Sequence, residues 1–224
     1  MASDATAAQQ FYGRWADFYD LLSRATPGLG RLRTRAADAL ALEPGETVVE
    51  MGCGTGANLP HLRERVGSEG RVVGVDFTCG MLERARDRIE HYGWENVHLV
   101  QADANGIEFR DAPDAILATF VVGMLADPAG AVGRWIDVLA PGGRLALLDA
   151  AQSDRWFGWP VNQAFRGLIV ASSPTGTDGY ERAPWVVLDE RVAAARRALC
   201  ERAAETTHSE HALGVVRITA GRME

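Results

Sequence analysis

The sequence contains no lysine, so all 23 of its basic side chains are arginines, and 30 acidic side chains outnumber them. A net charge of -7 argues against a protein that binds nucleic acid through a basic face. Cysteines are also scarce, and the three present are not spaced as metal ligands, which suits a reducing compartment. We therefore expect neither a nucleic-acid partner nor a bound metal.

Long apolar runs are absent as well. No stretch reaches the roughly 20 apolar residues that a membrane-spanning helix needs. The first residues lack the basic-then-apolar layout of a signal peptide. These features predict a cytoplasmic protein with no integral membrane segment. With 47% hydrophobic and 24% charged residues, the 224-residue chain has a globular composition and the length of one ordinary domain.

The most informative stretch is residues 47–60, which reads TVVEMGCGTGANLP. It begins with a β-branched run typical of a buried strand, and the acid Glu50 closes that run. Alternating glycines and a helix-compatible segment from about Ala57 follow. Such glycines let the backbone turn sharply and approach a ligand closely, and the helix directs free N–H groups at that ligand. The stretch therefore predicts a nucleotide-type cofactor loop built on Gly52, Gly54 and Gly56.

Strand-like and helix-like segments alternate along the chain. Apolar, β-branched segments predict five strands, at residues 47–51, 71–75, 97–100, 115–121 and 144–148. Helical periodicity predicts helices at about 57–66, 81–91, 129–139 and 185–204. Two alternating segments, 206–211 and 214–220, predict an antiparallel hairpin that closes the sheet edge. This order predicts an α/β fold with a doubly wound, mostly parallel sheet of seven strands, with ligands at the carboxyl ends of the strands.

Two segments stand apart from the alternating core. Residues 11–22 carry aromatic side chains at helical spacing, which predicts an amphipathic helix that packs on the domain or closes over the cofactor as a lid. A second helix is predicted at 32–42, and the insert at 152–184, which carries Trp156, Trp159 and Phe165, is predicted to be irregular and partly helical. We divide the chain into lid helices, cofactor-binding core, substrate-side insert with its helix, and closing hairpin, at residues 1–44, 45–150, 151–205 and 206–224.

The glycine loop is compatible with two cofactors. The spacing Gly52-x-Gly54-x-x-Ala57, with Asp76 at the end of the second strand, satisfies the dinucleotide fingerprint of an NAD-binding oxidoreductase. The same loop can instead admit the amino acid tail and sugar of S-adenosylmethionine (SAM), while Asp76 accepts hydrogen bonds from both ribose hydroxyls. The loop alone leaves both alternatives open.

Four motifs occur in order and at matching intervals along the core. Together they resemble the class I SAM-dependent methyltransferases over roughly residues 45–150. This resemblance implies a Rossmann-like methyltransferase fold, SAM as the cofactor and S-adenosylhomocysteine as its product. The motifs are Glu50-x-Gly52-x-Gly54-x-Gly56, Val75-Asp76, Gln101-Ala102-Asp103-Ala104, and Pro141-Gly142-Gly143 before a hydrophobic strand.

A closer resemblance links residues 11–22, the GCGTG loop and the closing hairpin to two groups. These are the ubiquinone/menaquinone-biosynthesis C-methyltransferases and the bacterial phospholipid N-methyltransferases. The chain departs from the quinone enzymes in its fourth strand, ATFVVGML, and in its insert, so the resemblance identifies the cofactor and leaves the acceptor open. It places Asp103 and Ala104 at the adenine and Thr119 near the methionine end. The positions that fall where this group contacts SAM are Thr55, Asp76, Asp103, Ala104 and Thr119.

The full set of candidate cofactor-binding residues adds the acid, loop and lid positions to those five. Several have an ordinary structural alternative: Gly52 and Gly56 can serve the turn alone, Asp103 can cap a turn, and Thr119 can be a buried strand residue. We interpret Cys53 as a small residue that fits the loop rather than as a nucleophile. The added residues are Glu50, Gly52, Cys53, Gly54, Gly56, Phe77, Tyr12 and Tyr19.

Methyl transfer requires the acceptor, the methyl group and the sulfur to be aligned in a dry site, and a general base only where the acceptor must lose a proton early. No residue stands out as that base, so no catalytic residue is assigned. The apolar insert and the N-terminal aromatics predict a hydrophobic or amphipathic small-molecule acceptor, quinone- or lipid-like, with peripheral membrane contact. The alternative to an enzyme is a methyltransferase-like domain that binds SAM as a regulatory or scaffold protein.

Overall fold

The protein is described by a computed structural model, which covers residues 28–172 and 182–224. The strands within these ranges are β1 (Thr47–Met51), β2 (Arg71–Asp76), β3 (Val97–Gln101), β4 (Ala115–Thr119), β5 (Arg144–Ala150), β6 (Glu205–His211) and β7 (Val216–Arg222). The helices there are α1 (Leu29–Asp38), α2 (Leu59–Val66), α3 (Cys79–Tyr92), α4 (Pro128–Asp137), α5 (Trp159–Ser172) and α6 (Pro184–Arg202).

All seven strands form one sheet in the order β3-β2-β1-β4-β5-β7-β6. The first five strands run parallel, and β7 is antiparallel both to β5 and to β6. The predicted α/β fold, doubly wound and mostly parallel with an antiparallel hairpin at its end, is therefore confirmed. The chain adds strands outward from β1 in one direction and, from β4, in the other, so the order reverses between β1 and β4.

Helices cover both faces of this sheet, which explains why its strands read as apolar runs rather than as alternating ones. Trp135 of α4 and Leu199 of α6 pack with alternate strand residues on one face. Leu59 and Leu62 of α2 pack with the intervening strand residues on the other face. Among the helices that the structure describes, none is long and apolar enough to cross a membrane.

The fourth strand is shorter than predicted. It ends at Thr119 instead of continuing to residue 121, because Phe120 adopts a left-handed backbone with φ 56° and a 3-10 turn follows at Val122–Met124. The turn brings Val121 against the glycine loop, where a Cβ built on Gly52 would lie 2.7 Å from the Val121 Cγ2 atom. The early end of β4 therefore shapes the ligand edge of the sheet.

Three segments lie outside the alternating core of strands and helices. The predicted helix at 11–22 lies outside the described residues, and the helix predicted at 32–42 is observed as α1, which begins three residues earlier and ends at Asp38. The insert contains the helix α5, in agreement with the predicted partly helical character, and residues 173–181 lie outside the described residues. The closing hairpin is observed with Gly214 in a short 3-10 turn rather than in the last strand.

Gly74 in the middle of β2 is required by packing. A Cβ at this position would lie 2.9 Å from the Cys53 sulfur and 3.0 Å from Leu99 Cδ2. We expect Gly74→Ala to lower the free energy of unfolding by about 1–3 kcal/mol, because the neighbouring side chains must shift to admit the methyl group. Urea unfolding followed by circular dichroism measures this change.

Gly30→Ala is the matched control for that substitution. Gly30 lies in α1, and a Cβ there meets no atom within 4 Å, so we expect a neutral or slightly stabilising effect. Equal stabilities of Gly74→Ala and the unchanged protein would show that the thiol and Leu99 have room to move.

Candidate cofactor-binding site

Polar side chains gather where the order of the strands reverses. Glu50 lies near the end of β1, Asp76 ends β2 and Thr119 ends β4. β1 pairs with both β2 and β4 in parallel register, so the three side chains lie at one edge of the sheet. The sequence predicted all three as cofactor-binding residues, and the fold brings them together beside the glycine loop.

Asp76 fastens the glycine loop to the second strand. The Gly54 N–H donates to Asp76 Oδ2 at 2.9 Å, and the Thr78 N–H donates to Asp76 Oδ1 at 2.9 Å. The residue is 8% exposed, and burial raises the pKa of its carboxyl group while the two backbone N–H groups oppose that rise. Hydrogen bonds from the Thr78 side chain and the Phe77 backbone also lower this pKa, so a ligand hydroxyl that binds Asp76 shares its oxygens with these protein donors.

Gly52, Gly54 and Gly56 differ in the space that the fold leaves for a side chain. All three have positive φ, which disfavours other residues. A Cβ at Gly52 would meet Val121, and one at Gly56 would lie 2.6 Å from Leu59 Cδ1, so both positions are needed by the turn itself. A Cβ at Gly54 would meet nothing within 4 Å. Gly54 is therefore the loop position that presents bare main chain to open space.

Asn58 joins β1 to β4 through its side-chain amide. Its Nδ2 donates to Glu50 Oε1 at 2.5 Å and to Thr119 Oγ1 at 2.8 Å. Two buried oxygens of this group, Glu50 Oε2 and Asn58 Oδ1, accept no hydrogen bond within the described part of the chain. Unpaired buried acceptors are costly, so this pair is suited to a ligand that brings N–H donors.

Sequence reasoning missed Asn58, although a signal was present. The residue stands directly before α2, where an asparagine ordinarily caps the helix, yet its side chain makes no cap hydrogen bond. An amide between a glycine loop and a helix points either along the helix or back toward the strand. Only the fold shows that it points back to Glu50.

Glu50 is the most strongly perturbed acid of the site. Its side chain is fully buried, and this burial raises the pKa of the carboxyl group to about 8, with the Asn58 hydrogen bond and the charge of Arg33 opposing the rise. Asp76 adds a smaller repulsive contribution to the pKa of Glu50. Two acids beside the loop disfavour a pyrophosphate and favour a cationic ligand, since a positive charge restores ionisation of Glu50.

Cys53 belongs to the glycine loop, and its side chain packs against β2 at Gly74. Its N–H donates to the Val75 carbonyl at 2.9 Å, and burial raises the pKa of its thiol well above the ordinary value. A buried thiol with a raised pKa is a poor nucleophile. The geometry agrees with the interpretation of Cys53 as a small residue that fits the loop.

Two other candidate residues, Thr55 and Phe77, form hydrogen bonds with neighbouring side chains through their main-chain carbonyls. Thr55 is buried, and its carbonyl accepts from Arg88 Nε at 3.3 Å. The Phe77 carbonyl accepts from Gln101 Nε2 at 3.2 Å. Tyr12 and Tyr19 lie outside the described residues.

Asp103 and Ala104 follow β3 in a tight turn. Asp103 Oδ1 accepts from the N–H of Asn105 at 2.9 Å, which is the turn-capping alternative recognised in the sequence. The Ala104 carbonyl accepts from Trp135 Nε1 at 2.7 Å. These contacts hold the turn at the same sheet edge as Asp76, because the N–H of Ala102 donates to the Asp76 carbonyl.

The glycine loop after β1, the acid at the end of β2 and the reversal of strand order together define a Rossmann-like domain for a nucleotide-type cofactor. A family model described as "Methyltransferase domain" matches residues 48–143, which include every one of these features. The match begins one residue after the start of β1 and ends just before β5.

Curated relatives give the same assignment. The chain is 35% identical over 151 residues to a phosphatidylethanolamine N-methyltransferase of Cereibacter sphaeroides, covering 66% of this chain and 70% of the relative. It is 36% identical over 147 residues to a 2-phytyl-1,4-naphtoquinone methyltransferase of Thermosynechococcus vestitus, covering 64% of each. The chain spans about half to two thirds of the length of several curated relatives that it matches.

A solved structure from Methanococcus maripaludis, titled as that of a putative SAM-dependent methyltransferase, has the same fold. It superposes with a TM-score of 0.65 at 17% identity and covers 96% of this chain and 94% of its own. The chain belongs to the class I SAM-dependent methyltransferases. The predicted family and SAM as its cofactor are thereby confirmed.

The raised pKa of Glu50 predicts a pH-dependent stability. The folded value of about 8 exceeds the ordinary 4.5, so the unliganded protein loses stability as pH rises from about 4.5 through about 8. Glu50→Gln keeps an acceptor for Asn58 but cannot ionise. We expect the variant to be more stable than the unchanged protein above pH 8, by at most about 4–5 kcal/mol, and equally stable near pH 4.5.

Denaturant unfolding at pH 5, 7 and 9 measures this difference. Glu64→Gln, an exposed change on α2, serves as the control that alters charge without burial. A stability gap for Glu50→Gln that stays constant from pH 5 to pH 9 would contradict a buried, protonated Glu50.

Proposed function

We propose that this protein transfers a methyl group from SAM to a small hydrophobic or amphipathic acceptor that is quinone- or lipid-like. The observation that carries the proposal is the buried Asp76 carboxylate, fastened to Gly54 beside open space, in a chain of this family. Two relatives, a 2-phytyl-1,4-naphtoquinone methyltransferase and a phosphatidylethanolamine N-methyltransferase, support the choice of acceptor class.

Each part of the cofactor is assigned its own contacts in this proposal. Asp76 would accept hydrogen bonds from the two ribose hydroxyls, and the free oxygens of Glu50 and Asn58 would accept from the ammonium of the cofactor. The main chain at Gly54 leaves room for the amino acid part. Further proposed contacts are Thr119 near the methionine end, Asp103 and Ala104 at the adenine, and Gly52, Cys53, Thr55, Gly56, Phe77, Tyr12 and Tyr19 around them.

SAM supplies, when bound, a methyl group on a sulfonium that is transferred by in-line displacement. The protein's contribution is to hold the donor rigidly, and positioning of this kind lowers a barrier by up to roughly 7–11 kcal/mol. Asp76 and Gly54 restrain one part of the site, while Glu50, Asn58 and Thr119 restrain the other through linked hydrogen bonds. No general base is assigned.

The acceptor side of the proposal rests on the insert after β5. Trp156 is 94% exposed and Trp159 is 71% exposed, whereas Phe165 is buried. Exposed aromatic rings beside the ligand edge suit an apolar acceptor and peripheral contact with a membrane surface. We retain the division into lid helices, core, insert and hairpin at residues 1–44, 45–150, 151–205 and 206–224 as part of this proposal.

Asp76→Ala is expected to weaken binding of S-adenosylhomocysteine by about tenfold to several hundredfold, since charge-assisted hydrogen bonds are lost. Titration calorimetry measures the affinity. Asp76→Asn, which keeps an acceptor for Gly54, separates loss of the ligand from loosening of the loop. Asp87→Ala on the exposed side of α3 is the control. Unchanged affinity in Asp76→Ala, or stabilisation by NAD instead, would refute the assignment.

The acceptor is tested with labelled SAM and two substrate classes. We expect label to enter either a demethylated naphthoquinone or phosphatidylethanolamine in vesicles, and mass spectrometry of the product distinguishes a C-methyl from an N-methyl group. Asp76→Ala serves as the background. Tight binding of S-adenosylhomocysteine with no transfer to either class, or to any component of a cell extract, would favour the regulatory or scaffold alternative.

A further inference from the structure

Four large apolar side chains are exposed at the carboxyl edge of the sheet, and we name them the apolar tip: Trp156, Phe157, Trp159 and Leu213. The rings of Trp156 and Phe157 are in edge contact, with centroids 5.4 Å apart. The three aromatic residues follow the carboxyl end of β5, and Leu213 lies in the turn before β7, which pairs antiparallel with β5. Both segments therefore lie at the edge of the sheet that carries the cofactor site.

Buried Ser153 connects the two segments of the apolar tip. Its hydroxyl donates to the Leu213 carbonyl at 2.6 Å and accepts from the N–H of Arg155 at 3.3 Å. The side chain of Asn162 in α5 accepts from the Ser153 N–H at 2.7 Å and donates to the Ser153 carbonyl at 3.0 Å. These hydrogen bonds fix the turn, the insert and the helix to one another, so the fold holds the apolar tip in place.

Leu213 is exposed at a conformational cost. Both Leu213 and Ala212 have a left-handed backbone, with φ 60° and φ 49°, which glycine adopts freely and other residues rarely adopt. The Leu213 side chain is nevertheless 57% exposed, so burial does not offset this strain. A strained backbone that presents an apolar side chain to solvent indicates a role in binding rather than in packing of the domain.

The charged neighbours of the apolar tip pair with one another. Arg155 Nη2 lies 3.4 Å from Glu210 Oε2, and Arg217 Nη2 lies 2.8 Å from Asp154 Oδ2. These two pairs sum to no net charge, and the chain as a whole carries a net charge of -7. The region of the apolar tip therefore offers no excess of positive charge that would attract anionic lipids.

We propose that the apolar tip inserts into the interfacial region of a zwitterionic lipid bilayer. A stable protein interface uses about 20–30 residues on each side, far more than these four side chains. Tryptophan rings are enriched at the bilayer interface, where insertion removes their apolar surface from water. The inference rests on the proposed function for the source of the acceptor, because an amphipathic acceptor held in the bilayer would meet the protein at its cofactor edge.

Binding to vesicles tests the inference without methyl transfer. The full-length protein with S-adenosylhomocysteine is sedimented with phosphatidylcholine vesicles that contain or lack phosphatidylglycerol. We expect saturable binding to phosphatidylcholine alone that added salt does not weaken, and quenching of tryptophan fluorescence by lipids with brominated acyl chains. Binding that requires phosphatidylglycerol and is lost on addition of salt would overturn the proposal, as would the absence of binding.

A double substitution locates the contact. Trp156→Ser combined with Trp159→Ser is expected to weaken vesicle binding about tenfold or more and to remove the quenching, since two exposed rings are lost. Tyr92→Ser is the matched control, because Tyr92 is 54% exposed and ends α3 at the opposite edge of the sheet, where the chain leads into β3. Unchanged vesicle binding in the double variant would contradict the proposal. Dimerisation without vesicle binding, abolished by the double change, would instead identify a second copy of the chain as the occupant.

Leu213→Gly separates insertion from folding. Glycine adopts the left-handed backbone without strain, so we expect an unchanged or higher melting temperature, while vesicle binding weakens about threefold or more. A purely structural role of Leu213 would lower the melting temperature and leave vesicle binding by the folded protein unchanged. Methyl transfer to a detergent-solubilised acceptor without vesicle binding would refute this inference alone. Vesicle binding without any methyl transfer would support it and count against the proposed function.

Discussion

The hydrogen bond from Gly54 to Asp76 is the contact on which the cofactor edge depends. It joins residues 22 positions apart and ties the loop after β1 to the end of β2. The contact requires the left-handed backbone at the loop glycines, the parallel pairing of β1 with β2, and an acid at the last position of β2. This contact therefore links the loop, the sheet and the acid at one edge of the sheet.

The acids show how the fold gives up stability for binding capacity. Glu50 is buried with one free oxygen, and burial raises the pKa of Asp149 to about 7, so a neutral side chain at either position relieves an electrostatic cost. Local rules of burial are broken most often at functional sites. The two acids lie on opposite faces of the sheet, since Asp149 alternates with Leu148 and Glu50 with Val49.

Much of the fold could be predicted because local sequence and tertiary structure agree. β-branched runs such as that of β1 predicted the bounds of a strand to within one residue, and the loop glycines predicted the position of the candidate site. The end of β4 could not be predicted, since the apolar stretch continues through Val121, whereas in the fold Phe120 has a left-handed backbone and Val121 packs against Gly52. Asn58 was missed because its role depends on the direction of its side chain, which donates to Glu50 and Thr119 rather than to the helix.

The hairpin that completes the sheet has a consequence for how the molecule behaves in a crowded solution. β6 is the outermost strand, and six of its seven residues are exposed, with glutamate, histidine, serine and threonine side chains. A polar, charged border of this kind discourages the addition of a strand from another molecule. The hydrophobic interior strands are thereby screened on that side from intermolecular β-pairing, a protection that the shorter border at β3 provides less fully, since Val100 there is exposed.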